Sequence, residues 1–177
     1  TSSGSTGCAC DHRPVPEATP HSTPMPSGES APSGVDRAPG DPEGTPYDWY
    51  QRAMGFLAAG ESDAAAVLLT RLRELDPGST SVLEALARAL FDSRHYDDAI
   101  AAFTELVERS PAEDYAHYGL GMSLWRRQRF PEARDHLAMA FVMRPDRSEY
   151  GSALSQVKAT LRARALAGLP LAGPIQT

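Results

Sequence analysis

The sequence predicts an all-α fold: three helical hairpins stacked into a superhelix, closed by a C-terminal capping helix and preceded by a disordered N-terminal tail. Two periodicities carry this reading. Prolines recur at an even interval, as Pro77, Pro111 and Pro145, and an alanine precedes each at one fixed distance, as Ala65, Ala99 and Ala133. Apolar positions recur with the same period, as Phe56, Leu90 and Leu124, as Leu69, Phe103 and Leu137, and as Leu72, Leu106 and Ala140.

The tail comes first. Residues 1–45 hold eight of the fifteen prolines and no Leu, Ile, Phe, Tyr or Trp, so they bury too little apolar area to offset the entropy of ordering. Three repeats follow, at residues 46–79, 80–113 and 114–147. A repeat of this length accommodates two helices of roughly thirteen residues and two short turns, close to the mean helix length. In the second repeat Val82, Leu86 and Ala89 form one helical stripe and Ala99, Phe103 and Leu106 another, with a turn at Ser93, Arg94, His95 and Tyr96. Small residues stand where the helices of each hairpin cross, Ala53, Ala87 and Gly121 opposite Ala65, Ala99 and Ala133, which permits close axes. The recurring proline ends each second helix, because it lacks an amide proton and disfavours helical geometry in the residue before it. After Asp146 the phase changes: Tyr150, Leu154, Val157 and Leu161 make a single apolar stripe, and Arg162 and Arg164 are assigned to the polar remainder. This is the capping helix, residues 148–167, and the Gly- and Pro-rich residues 168–177 are expected to fray.

These residues resemble the tetratricopeptide repeat family, whose repeating pattern runs aromatic, Leu-Gly, aromatic, Ala, Phe, Ala, Pro. The third repeat fits it best, through Leu120-Gly121, Leu124, Phe130, Ala133, Leu137, Ala140 and Pro145, and Trp49 fills the leading aromatic position of the first. Leu83 and His117 depart from the pattern at that aromatic position, and Arg52 departs where later repeats have Leu86 and Leu120. Arg52 lies in the outermost repeat, where a solvated side chain suits an end with no neighbour stacked before it. The resemblance implies a right-handed superhelix.

It also implies a concave face lined by the second, fifth, ninth and twelfth positions of each first helix. Here these are Tyr47, Tyr50, Met54 and Leu57, then Ser81, Glu84, Arg88 and Phe91, then Tyr115, Tyr118, Met122 and Trp125. Aromatics and methionines in a concavity bury large area at low entropic cost, so the expected role is a non-catalytic adaptor that binds a partner's peptide segment. The family's carboxylate-gripping variant uses Lys, Asn and Arg at positions occupied here by Tyr50, Met54, Ala85, Tyr115 and Gly119. That clamp is absent, so the expected ligand is an extended or helical segment with apolar anchors and a charge facing Glu84 or Arg88. A self-associating scaffold and a secretion-type chaperone are the alternatives, and a tail folded back into the groove would compete with any ligand.

Composition narrows the field further. The net charge of −6 leaves −2 for residues 46–177 once the six acidic and two basic groups of residues 1–45 are removed, which is no basic field for nucleic acid. No stretch approaches the roughly 18 uninterrupted apolar residues of a membrane span, and no basic-then-apolar leader opens the chain, so a cytoplasmic location is expected. Sixteen arginines against one lysine, Lys158, point to a GC-rich bacterial genome. Cys8 and Cys10 lie beside His12, one ligand short of a structural zinc site and too closely spaced for one, so a reduced pair is expected and no metal or other cofactor. His95, His117 and His136 fall in a turn, a first helix and a second helix, and no phosphate loop, paired-carboxylate motif or nucleophile elbow is present, so no enzyme is expected.

Overall fold

Thr45 sets the start of the folded part. Its hydroxyl accepts from Asp48 N at 3.3 Å, the Asp48 carboxylate accepts from Thr45 N at 2.7 Å, and Pro46 occupies the first helical turn. The backbone hydrogen bond from Thr45 holds the Asp48 carboxyl below its usual range. A computed structural model describes residues 43–174. The expectation of a disordered tail over residues 1–45 lies outside the described residues as far as residue 42, as do those of a reduced Cys8/Cys10 pair and of tail occupancy of the groove.

Seven helices follow one another, α1 Pro46–Ala59, α2 Ser62–Leu75, α3 Thr80–Asp92, α4 Tyr96–Arg109, α5 Asp114–Arg126, α6 Phe130–Met143 and α7 Ser148–Leu166, with no strand among the described residues. Tyr96, expected in the turn, is instead the first residue of α4, because the turn closes in three residues. Each first helix ends the same way. Gly60, Arg94 and Gln128, each one repeat length from the next, take left-handed φ angles of 79°, 65° and 60°. The next amide then reaches back five residues, Glu61 N to Phe56 O, His95 N to Leu90 O and Arg129 N to Leu124 O, each at 2.9 Å. This turn satisfies carbonyls that the helix end leaves free, and its last residue starts the partner helix at once. Second helices end differently: Asp76, Ser110 and Arg144, each just before its proline, adopt φ of −133°, −137° and −138°.

The stack has a continuous apolar interior. Trp49, Ala53, Leu69, Leu72 and Leu86 anchor its first part, and Leu83, Phe103, Leu106, Leu120, Leu137 and Val157 its second, with Leu90 packed against both. The expected crossing points are closed: Ala53, Ala65, Ala87, Ala99 and Ala133 are fully buried, and a β-carbon on Gly121 would lie 2.7 Å from Leu137 Cγ. Arg109 donates to Pro77 O at 2.8 Å, and Arg127 pairs with Asp97 at 2.7 Å, linking successive hairpins at the surface.

At the far end α7 covers the third hairpin through Tyr150, Leu154 and Val157, as the stripe requires. The fully buried Tyr150 donates its hydroxyl to Asp114 Oδ2 at 2.7 Å and stacks on Tyr118 with centroids 4.6 Å apart. Where fraying is expected, residues 168–174 turn back instead. Gly168 at φ 66° closes α7, with Leu169 N bonded to Arg164 O at 2.9 Å. Arg164, assigned above to the polar face, is buried: it donates to Pro170 O and Gly173 O, both at 2.6 Å, and lies 5.0 Å from the Phe130 ring centre. A guanidinium has several donors in one plane, so one side chain satisfies two carbonyls of a loop that has no regular hydrogen bonding of its own.

Arg94 and Gln128 hold a conformation that costs a side-chain-bearing residue about 1–2 kcal/mol, against about 0.4–1 kcal/mol of added chain entropy for glycine. Arg94→Gly and Gln128→Gly are each expected to stabilise the fold by about 0.5–1 kcal/mol in urea unfolding. A loss of stability in both would show that the turn is held by those side chains instead.

Candidate functional site

First helices α1, α3 and α5 stand side by side, and between them lie two recesses. The first is lined by Tyr50, Met54 and Leu57 of α1, Ser81, Glu84, Ala85 and Arg88 of α3, and Tyr115 of α5. Its volume of about 440 Å3 falls within the range of ligand-binding clefts. Arg88 and Tyr115 are shared with the second, which adds Phe91, Asp92, Phe103, Tyr118, Gly119 and Met122. Three- and four-residue steps along each helix place these side chains on one face.

Ten of the twelve residues expected along this face therefore line at least one of the two recesses. Tyr47 does not, and is 69% exposed near the start of α1. Trp125 lies in a separate recess with Arg126, Gln128, Phe130, Arg164 and Pro174, under the returning C-terminal residues. Leu57 is mostly core. The aromatic rings are also less free than their spacing suggests: Tyr115 packs edge-on against Phe103 at 6.1 Å, Phe91 against Tyr96 at 5.7 Å, and Tyr118 lies on Tyr150. Two contributors escaped the sequence reading of this face, Asp92 and Phe103. Phe103 comes from a second helix, and Gly119 admits it, since a β-carbon there would stand 2.2 Å from Phe103 Cζ.

The electrostatics differ between the two recesses. Arg88 is held by Asp92, Nε to Oδ2 at 3.6 Å. Glu84 is half-buried, and neither an ion pair nor a hydrogen bond reaches it among the described residues. Burial, then the Glu113 charge, push its carboxyl above the usual range, with Arg88 pulling the other way. Burial likewise raises the hydroxyls of Tyr115 and Tyr118.

Away from this face, two histidines expected in unrelated settings meet. His117 and His136 stack with centroids 5.4 Å apart, their Nδ1 atoms at 3.1 Å. His117 Nε2 stands 3.1 Å from Pro111 O, and a carbonyl only accepts, so His117 carries its proton on Nε2 and accepts at Nδ1 from His136. The position that holds Trp49 in the first repeat thus takes a satisfied core histidine. No group of three or more potential metal ligands occurs among the described residues.

Paired helices repeating with a constant period, stacked with their first helices on one side, define a helical-hairpin repeat protein. Two family models, both described as tetratricopeptide repeat, match residues 56–101 and 84–148 and together span more than half of the chain. The chain belongs to the tetratricopeptide repeat family. Its fold is similar to that of MamA 41-end from Desulfovibrio magneticus RS-1, with a TM-score of 0.65, 18% identity and 70% of each chain covered. It is also similar to the first TPR of Spaghetti (RPAP3) bound to HSP90 peptide SRMEEVD, with a TM-score of 0.62 and 17% identity over 66% of this chain and 93% of that one. The first TPR domain of human RPAP3 by NMR gives a TM-score of 0.62 and 17% identity over 68% and 94%. No curated protein sequence matches the chain, and no helix among the described residues is long and apolar enough to cross a membrane.

Burial, followed by the neighbouring His117, lowers the basicity of His136, while Asp135 and Glu132 oppose this. The folded chain therefore takes up this proton less readily than the unfolded one, and the contribution to stability is complete above the unfolded value near 6.5 and is lost as the pH falls below it. The melting temperature is expected to drop from about pH 7.5 to about pH 5.5, and to drop less in His136→Asn, which keeps a donor for His117 but does not titrate. Equal drops in the two proteins would remove this linkage.

Proposed function

We propose that this chain is a non-catalytic cytoplasmic adaptor that binds a peptide segment of a partner protein along the α1/α3/α5 face. The single observation that carries this reading is the continuity of the two recesses, which share Arg88 and Tyr115 and whose other lining residues include Tyr50, Met54, Phe91, Tyr118 and Met122. Half-buried rings already fixed by neighbours lose little entropy when a ligand covers them, and thioethers adapt to varied side chains. The RPAP3 domain of similar fold holds a peptide in its own structure, which supports peptide capture as the use of such a face. This chain has Tyr50, Met54, Ala85, Tyr115 and Gly119 at the carboxylate-gripping positions, so the ligand is an internal segment with apolar anchors and not a free C-terminus. Nucleic acid and membrane have no part in this reading.

Self-association is the second reading. It is favoured by Met139 and Val142 on α6, one helical turn apart and 49% and 76% exposed, outside both recesses. The two readings separate by sedimentation and by substitution. Tyr50→Ala combined with Met122→Ala removes one lining side chain from each recess and is expected to weaken capture of a partner protein at least about tenfold while the chain stays monomeric. Unchanged capture by the double variant, or a dimer that Met139→Ser dissolves, would displace the adaptor reading.

A further inference from the structure

The geometry points to Glu84 as the seat of a basic side chain: the segment bound on this face carries an arginine or lysine whose charged end enters the recess between Tyr50, Glu84 and Tyr115. This rests on the peptide-binding reading and adds the chemistry of the ligand.

Glu84 is the only acidic group lining its recess, and it is half-buried with neither an ion pair nor a hydrogen bond among the described residues. A carboxylate partly withdrawn from water without an ion pair or hydrogen bond is costly, and Glu113 adds repulsion that Arg88 offsets only in part. Among the described residues Arg88 is the one cation lining this recess, and Asp92 engages it from the next turn of the helix. A cation brought by a ligand would therefore find an anion that no described residue of the chain contacts through an ion pair or hydrogen bond.

The walls suit the same guest. Tyr50 and Tyr115 supply aromatic rings, which attract ammonium and guanidinium groups through their quadrupoles. Met54, Leu57 and Ala85 supply apolar surface for the methylene stem of a long basic side chain. The surrounding field agrees. Residues 43–113 carry thirteen acidic and six basic groups, whereas residues 114–174 carry five and nine. The near balance of the folded part is an average over two unlike halves, and the Glu84 recess sits within the acidic one. An acidic segment would meet Glu84 and Glu113 at close quarters, so the charge that best completes this recess is positive.

The test uses the full 177-residue chain to pan a random dodecapeptide phage library. Selected sequences are expected to be enriched in arginine or lysine beside aliphatic or aromatic residues. A fluorescein-labelled copy of a selected peptide should bind Glu84→Gln about tenfold more weakly, as should a peptide with norleucine in place of the basic residue bind the native chain. Combining the two changes should add little further loss, because both remove one interaction. Enrichment of apolar peptides without basic residues, or undiminished binding by Glu84→Gln, would overturn the inference and leave the adaptor reading intact. Failure of the native chain to select any peptide would count against both.

Discussion

At Gly119 a hydrogen stands where other residues carry a carbon, and the Phe103 ring fills the space. This one contact brings α5 of the third hairpin against α4 of the second, closer than any side chain at that position would allow. Its effects spread outward along α5. Phe103 becomes almost completely buried, Tyr115 one turn earlier sets its ring against Phe103, and Ser123 one turn later donates to Gly119 O at 2.7 Å. Tyr115 is common to both recesses. The proposed docking face thus inherits its shape from a backbone-to-ring approach on its inner side, and its rings are held in place before any ligand arrives.

Charge works on a longer scale than packing. Surface pairs such as Arg127 with Asp97 and Arg129 with Glu132 contribute little singly, since exposed ion pairs exchange water for protein at near parity. What they leave over has a direction: excess acid gathers over the first two hairpins and excess base over the third hairpin and α7. The recess around Glu84 lies on the acidic side, and the Trp125 recess, with Arg126 and the buried Arg164, lies on the basic side. A single stack can in this way present two chemically different ends to one bound chain.

Much of the architecture was legible because a constant period samples the same environment three times, so Ala65, Ala99 and Ala133 corroborate one another. The same phase put Tyr50, Met54, Glu84, Arg88, Phe91, Tyr115, Tyr118 and Met122 on one face, and these do line the recesses. What escaped were features outside the repetition. The pairing of His117 with His136 joins two helices in one hairpin only. The return of residues 168–174 is held by Arg164 reading two loop carbonyls and by Gly173 N donating to Gln128 O, which Gly- and Pro-rich composition does not announce. Trp125 obeys the period, yet those returning residues give it a different setting from Leu57 and Phe91 at the corresponding positions. The charge split was present in the sequence and vanished only in averaging.

Gly119→Ala tests most directly whether the hairpins are locked by this approach. In an unobstructed helix alanine improves on glycine by about 1 kcal/mol, and Gly55, with nothing within 4 Å of its would-be β-carbon, supplies the matched control in Gly55→Ala. Urea unfolding is expected to show Gly55→Ala gaining stability and Gly119→Ala losing about 1–3 kcal/mol, with a change in the near-ultraviolet signal of the displaced Phe103 and Tyr115 rings. A gain of stability in both variants, with aromatic signals unaltered, would contradict the account.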